Sequence, residues 1–340
     1  MSFRSENLFA RDRRTFLNAA AHSLASLATV SVVGEKRNYA IASQSDSPTE
    51  KSIVVDTHMH VWANDASRYP FQHPYQQDFD KAPHDGTVEM LIEDMDQHGC
   101  THAVLVQVIY HGWDNRYIAD CVRRFPDRLR AHGLIDPKES NVADKLEYWM
   151  KEHGLHGMRF SPIYYKDGQH GGDGWLDADE THRLWKKAES LSAVFNFFIA
   201  PRQLPKLAKM VSAHPGVCVI IDHLSQVDLK AADPEPDVTR LIEMARYENV
   251  CVKVSELSSV SSSGTYPFTD AYPFVKRVYE AFGPDRLLFG TGYPGSARAH
   301  YHRPTLDREI ALFNHMPFLS TEDRSKILGR NAKRLWGLAV

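Results

Sequence analysis

The sequence lacks the features that mark disulfide-rich, nucleic-acid-binding or membrane-spanning proteins. It has four cysteines in 340 residues, well separated and three of them in or beside apolar runs, which predicts core thiols and no disulfide framework or zinc knuckle: Cys100, Cys121, Cys218 and Cys251. Lysine and arginine number 40 against 43 aspartates and glutamates, so the net charge is −3. Such a nearly balanced charge gives no electrostatic reason to expect binding to nucleic acid or to an anionic membrane. We therefore expect a small-molecule substrate as the partner.

The first 42 residues differ in composition from the rest. Arg13 and Arg14 precede a mildly apolar stretch of small residues, and an Ala-Ile-Ala exit site follows at 40–42. This order is typical of a twin-arginine export signal, although a disordered or amphipathic extension is the alternative. The apolar stretch is too short and too polar for a permanent membrane span. We expect residues 1–42 to be a signal peptide, residues 43–51 a linker, and the mature protein to be periplasmic or secreted.

The remaining segment, 52–340, carries eight short apolar runs, most of them separated by helical patterns. Several runs are apolar at successive positions, which is typical of parallel strands covered on both faces. Eight units of roughly 35 residues predict an α/β fold of the (β/α)₈ TIM-barrel class. The runs are 53–60, 102–110, 129–136, 155–161, 193–200, 217–224, 250–257 and 286–292.

The main competing fold is an open doubly wound sheet. Against it, no Gly-rich phosphate loop of either common kind follows the first apolar run. The tail at 320–337 begins with Ser320, a good N-cap residue, and continues with helical spacing. It predicts a last helix packed on the outside of the barrel.

Histidines end the first and sixth runs, where a barrel carries its catalytic groups. His58 and His60 are two residues apart, so on a strand they point to the same side, about 6 to 7 Å apart along the chain. Two such imidazoles can tilt onto one divalent ion, and His223 could complete a three-histidine set. The alternative for each histidine is a hydrogen-bonded polar residue at a strand end.

Three further side chains follow strands and could contact a substrate. Arg159 ends the fourth run, and its guanidinium fork suits a carboxylate or a lactone carbonyl, with a structural ion pair as the alternative. Gln107 ends the second run and could bind substrate or orient a loop. Tyr293 follows the eighth run and could form a wall of the pocket, where packing is favoured over chemistry.

The motifs taken in order resemble the amidohydrolase-related family, in the branch of sugar and dicarboxylate lactonases and metal-dependent aromatic-acid decarboxylases. The resemblance covers nearly all of residues 53–338. It implies a (β/α)₈ barrel, a site around the three histidines, and hydrolysis of a lactone or decarboxylation of a conjugated acid. Some members use zinc or another divalent ion, while the dicarboxylate lactonases work without metal. The motifs are DTHMHVW, AVLVQVIYHGWDNRYI, RLRAHGLIDP, LHGMRFSP, VIIDHLS, VCVKVSELS, FGPDRLLFGTGYPG and ILGRNAKRLWG.

One position departs from the family pattern. The eighth strand in relatives usually ends with an aspartate that binds metal or activates water, and here that position is Gly292. The seventh run carries Glu256, where relatives commonly have glycine or alanine. Adjacent strands lie about 4.8 Å apart, so a Glu side chain could reach the vacant space. We expect Glu256 to take over the role of base or ligand; the alternative is a Glu bound to a loop amide or an arginine.

Together these features predict a hydrolase of small lactones or related cyclic esters. We expect zinc, or another divalent ion, on His58, His60 and His223, with His223, Glu256 and Arg159 in catalytic roles. A metal-free lactonase stays open. So do a non-oxidative decarboxylase and, because of Gly292, a catalytically silent exported binding protein. The sequence does not determine the oligomeric state.

Overall fold

The computed structural model describes residues 53–339, so the export signal and linker expected at 1–42 and 43–51 lie outside the described residues. Eight parallel strands pair in chain order. Each lies within one of the eight apolar runs, which confirms the predicted strand number. The strands β1 to β8 are Val55–Met59, His102–Val106, Leu129–Leu134, Gly157–Phe160, Val194–Phe197, Cys218–Ile221, Val250–Val254 and Leu287–Phe289.

The first and last strands meet and close the sheet. Met59 and Gly292 form a parallel bridge, and the His60 amide donates to the Gly292 carbonyl at 2.8 Å. The Thr57 hydroxyl donates to the Phe289 carbonyl at 2.6 Å. Because the ring of strands is completed in this way, the predicted (β/α)₈ barrel is confirmed.

Helices cover the outside of the barrel. The first of them begins after Thr87, whose hydroxyl accepts from the Met90 amide, and ends at Gly99 in the left-handed conformation (φ 71°) that glycine adopts without strain. The α-helices of the described segment, α1 to α12, are Val88–His98, Arg116–Arg124, Val142–His153, Thr181–Leu191, Leu204–Ala213, Glu235–Glu243, Leu257–Val260, Tyr272–Phe282, Ala297–His300, Leu306–Ala311, Thr321–Ser325 and Asn331–Trp336.

The expected outer helix at the C-terminus forms in three joined pieces. Helix α11 runs into a π-helical turn at Lys326–Arg330, which continues as α12. The Ser320 hydroxyl accepts from the Asp323 amide at 3.1 Å, as expected for an N-cap residue. The predicted helix and its start are therefore confirmed.

Apolar side chains fill the space between strands and helices, but the barrel interior carries polar groups. Asp56, His58, Asp222 and Lys253 are all fully buried. Buried charges are stable only when they are paired or hydrogen-bonded, so these residues indicate a functional centre or an ion-pair network.

The cysteines and the helices agree with the expectations from composition. All four cysteines are unpaired, three buried and Cys251 half-buried, as expected of core thiols. Over residues 53–339, none of the helices combines the length and the apolar character needed to span a bilayer.

Candidate active site

Four of the side chains singled out in the sequence meet at the carboxyl end of the barrel. The Nε2 atoms of His58 and His60 are 3.3 Å apart. The ring centroid of His223 lies 4.2 Å from that of His58, and its Nε2 lies 3.7 Å from Oε1 of Glu256. All three histidines are buried, and strands distant along the chain bring them together.

Left-handed backbone turns aim two of these side chains into the barrel. Lys253 and Ser255 share the inner face of β7 and its extension, so strict alternation would place Glu256 on the outer face. Glu256 instead has φ 57° and ψ 36°, and His223, directly after Asp222, has φ 49° and ψ 48°. Such angles cost a non-glycine residue about 1 kcal/mol or more and are concentrated at functional sites. The turns therefore direct both side chains into the barrel, whereas strand alternation would direct them outward.

Asp222 lies at the centre of the buried network. Its Oδ1 is 3.0 Å from the Lys253 ammonium and 3.4 Å from Nδ1 of His58, and its Oδ2 is 3.2 Å from Nε of Arg159. Burial alone would raise the pKa of Asp222, but the charges of Lys253, His58 and Arg159 outweigh burial and hold it well below its usual value. Asp222 is therefore an anion shared by two cations.

Lys253 was missed as a site residue in the sequence. Its ammonium, fully buried, lies 3.1 Å from Nδ1 of His58 as well as beside Asp222. Burial lowers the pKa of Lys253, and Asp222 opposes that shift. The sequence did carry a signal, because a lysine inside an apolar strand must find a partner when it is buried.

Arg159 is partly committed to the protein itself. Its Nε contacts Asp222, and its guanidinium lies over the ring of Phe198, 4.6 Å from the centroid. These contacts match the ion-pair alternative. Because Arg159 donates to Asp222 through Nε, its two terminal nitrogens are available to a substrate anion.

Gln107 and Tyr293 have different surroundings. Gln107 is fully buried and donates from Nε2 to the Asp114 carbonyl at 2.6 Å, so it holds the loop that follows β2. Its Oε1 has no hydrogen-bond partner among the described residues. Tyr293 stacks on Tyr301 with centroids 3.8 Å apart, and its ring centroid lies 5.7 Å from that of His60. Tyr293 thus forms a wall beside the histidines.

The carboxylate of Glu256 lies next to Gly292, the position where the family resemblance leads one to expect an aspartate. A Cβ built at Gly292 would be 3.8 Å from Oε1 of Glu256. The backbone at Gly292 has φ 124°, a value that L side chains rarely adopt. The chain therefore combines a glycine-specific backbone just after β8 with a carboxylate supplied just after the neighbouring strand, β7.

The donor atoms at this site fit a divalent ion on the Nε2 side of the histidine pair. Two ligands of a tetrahedral ion with bonds of about 2.0 to 2.1 Å are about 3.3 Å apart, which is the separation of the His58 and His60 Nε2 atoms. His60 donates from Nδ1 to the Val106 carbonyl at 2.7 Å, so its Nε2, which faces Nε2 of His58, carries the lone pair.

Among the described residues, a different donor set also has the spacing to hold a metal ion. It consists of His58, Asp222 and His223, whose donor atoms all lie within 4.8 Å of one another. It differs from the expected set of His58, His60 and His223 because the chain turns sharply after Asp222 and brings both residues beside His58. Asp222 already forms an ion pair with the ammonium of Lys253. The three histidines are therefore the ligand set with fewer competing charged contacts.

Glu309 on α10 gives the fold a testable pH dependence. Burial raises the pKa of Glu309 to about 8, against the lowering effect of Arg298 and Arg303. A carboxyl with a raised pKa stabilises the fold fully below its unfolded pKa of about 4.5 and loses that contribution as the pH rises through 8. Glu309→Gln should therefore reduce the loss of unfolding free energy between pH 5 and pH 9 by roughly 4 kcal/mol, measured by urea denaturation.

The exposed Glu152 supplies the control for this measurement. Glu152→Gln should leave the wild-type pH dependence unchanged, because it replaces an exposed surface side chain. An equal loss of stability with pH in wild type and Glu309→Gln would show that Glu309 does not bind a proton in this range.

Comparison with known proteins places the barrel in a family. The Amidohydrolase family model matches residues 55–338. The chain is 29% identical over 283 residues to 4-sulfomuconolactone hydrolase from Rhizobium radiobacter, covering 83% of this chain and 89% of that protein. It is 27% identical over 293 residues to 2-pyrone-4,6-dicarboxylate hydrolase from Comamonas testosteroni, covering 83% and 90%.

A solved structure shares the fold. An amidohydrolase from Burkholderia multivorans with bound zinc superposes with a TM-score of 0.66 at 19% identity, over 84% of this chain and 100% of that one. Since the family model spans most of the sequence, this chain belongs to the amidohydrolase family of hydrolases.

Proposed function

We propose that this chain hydrolyses a small lactone or related cyclic ester, with Glu256 accepting the proton of the attacking water. The position of Oε1 of Glu256 carries this proposal, because it lies beside His223 and 3.8 Å from a Cβ built at Gly292. The two relatives described above are named as hydrolases of a muconolactone and of a pyrone dicarboxylate, both of which are cyclic esters.

Glu256 has the protonation state that a general base needs. Burial by itself would raise the pKa of its carboxyl, but His223, Arg303 and His60 outweigh burial and hold the pKa below its usual value. Glu256 is therefore ionised at neutral pH. A carboxylate in this state can accept a proton from water as the water attacks the lactone carbonyl, and return it to the leaving oxygen when the ring opens.

Hydrolysis predicts a defined stoichiometry. With 4-sulfomuconolactone, 2-pyrone-4,6-dicarboxylate and a neutral sugar lactone as substrates, we expect one proton released per ring opened at neutral pH, followed with a pH indicator, and no carbon dioxide. Carbon dioxide release from a conjugated acid would identify a decarboxylase. Tight binding with no turnover of any compound would identify a binding protein.

Arg159 is proposed to hold an anionic group of the substrate through its terminal nitrogens. Arg159→Met should raise KM about tenfold or more for a lactone that carries a carboxylate or sulfonate, since a hydrogen bond to a charged group contributes about 1.5 to 3 kcal/mol. For a neutral lactone the KM should change much less. Initial-rate kinetics on the two substrates test this, and equal changes in both would assign Arg159 to the protein's own ion pair with Asp222.

We further propose zinc as the metal, held by His58, His60 and His223. When bound, it would polarise the lactone carbonyl and lower the pKa of water toward about 7. His60→Asn should weaken zinc binding roughly a hundredfold or more, since even residues outside the ligand shell contribute tenfold to a hundredfold. Metal content after purification and calorimetric titration measure this. The exposed His315→Asn is the control, and unchanged zinc affinity in His60→Asn would exclude this site.

A further inference from the structure

Arg303 contacts the proposed base from the side away from the histidines. It lies on the segment between α9 and α10, and its Nη2 is 2.9 Å from Oε2 of Glu256. Its Nη1 donates to the hydroxyls of Ser258 at 2.7 Å and Ser259 at 3.0 Å. One guanidinium thus contacts Glu256 and two residues of the short helix α7 that begins directly after it.

These contacts make the two carboxylate oxygens of Glu256 inequivalent. Oε2 is held by Arg303, while Oε1 faces Nε2 of His223 and the space beside Gly292. The side chains of Arg303 and Glu256 are only 10% and 13% exposed, so solvent screens their attraction little. The Glu side chain has three rotatable bonds, and without a fixed partner it could populate other rotamers.

We propose that Arg303 is a positioning residue for Glu256. It holds one carboxylate oxygen and the start of α7, so that the other oxygen stays at the place of the missing eighth-strand aspartate. An aspartate on β8 would be held by the strand itself, whereas a longer Glu on a left-handed turn needs a separate partner. This inference rests on the proposed function, because it assigns Arg303 a role through Glu256.

Substitution of Arg303 should lower kcat and leave KM nearly unchanged. We expect Arg303→Ala to reduce kcat about a hundredfold, since a displacement of about 1 Å in a reacting group can have that effect. KM for a lactone should change less than twofold, because Arg303 contacts Glu256 and no substrate. Arg303→Lys keeps the charge but loses the fork of donors, so it should recover only part of kcat.

Chemical rescue separates positioning from a general structural role. Methylguanidinium added to Arg303→Ala should restore part of kcat, whereas it should not affect wild type. The matched control is Arg308→Met, an exposed arginine whose guanidinium lies over the ring of Tyr266, which should keep wild-type kinetics. Melting temperatures of all variants show that they are folded, and a crystal structure of Arg303→Ala should show the Glu256 carboxylate displaced from Gly292.

Several results would overturn the proposal, and they differ from failure of the proposed function. A large rise in KM with kcat retained would mean that Arg303 binds the substrate itself. If Glu256→Gln inactivates the enzyme but Arg303→Ala keeps full kcat, then Glu256 holds its position without Arg303. Full kcat in Glu256→Gln would remove Glu256 from the mechanism and this proposal with it.

Discussion

Glu256→Gln is expected to lower kcat about a thousandfold while leaving the fold intact, because loss of a general base typically reduces the rate by a factor of about 10² to 10⁴. The amide keeps the shape of the side chain and still offers an oxygen to Arg303, so the contact at 2.9 Å can persist. The amide cannot, however, accept a proton from water. Steady-state kinetics on the best lactone of the panel, with a thermal melt of each protein, measure the effect.

The control for this prediction is Glu152→Gln. Glu152 is exposed on α3 and is not among the site residues, so its substitution should leave kcat unchanged. A kcat for Glu256→Gln within about threefold of wild type would show that another group activates the water. A loss of melting temperature together with kcat would point to a structural role of Glu256 instead.

Asp222→Ala is expected to destabilise the protein by about 3 to 5 kcal/mol. The substitution leaves the ammonium of Lys253, fully buried, and the guanidinium of Arg159 without their shared anion. Removing one partner of a buried ion pair costs this much because the remaining charge is neither solvated nor paired. Urea denaturation at pH 7 measures the free energy of unfolding, and a loss below about 1 kcal/mol would contradict the assignment of Asp222 as the central anion.

An exposed ion pair provides the matched comparison. Asp96 and Arg128 approach to 2.8 Å, but their side chains are 59% and 32% exposed. Solvent screens such a pair, so Asp96→Ala should change the free energy of unfolding by no more than about 1 kcal/mol. Asp222→Asn keeps the volume of the side chain and loses its charge. If charge and not packing determines the effect, Asp222→Asn should lower the free energy of unfolding nearly as much as Asp222→Ala.

The architecture and the histidine pair could be predicted from the sequence because both depend on local patterns. Buried parallel strands are apolar at successive positions, so each strand lies inside an apolar run that is visible in the sequence. His58 and His60 are two residues apart on one strand, so the period of two fixes their common side. The last helix is similarly local, with Ser320 at its start.

The partners of the site residues are distant along the chain, so they are harder to predict from the sequence. Lys253 contacts His58 from 195 positions further along the chain, and Asp222 is shared by residues of β4 and β7. The charged Lys253 in an apolar run was a usable signal that a buried partner exists. Nothing in the sequence pairs Arg303 with Glu256, because that contact depends on how the segment after α9 folds back over the barrel.

The sequence by itself determined the eight-stranded barrel and the strand ends that bear the histidines, and its family resemblance predicted that Glu256 supplies the carboxylate that Gly292 lacks. Only the tertiary structure decided where that carboxylate lies. Strand alternation would turn Glu256 outward, and the left-handed backbone at φ 57° turns it inward, next to His223. The physical reason is that side-chain direction at a strand end follows a single pair of backbone angles, which the tertiary structure sets and the period of two along a strand does not.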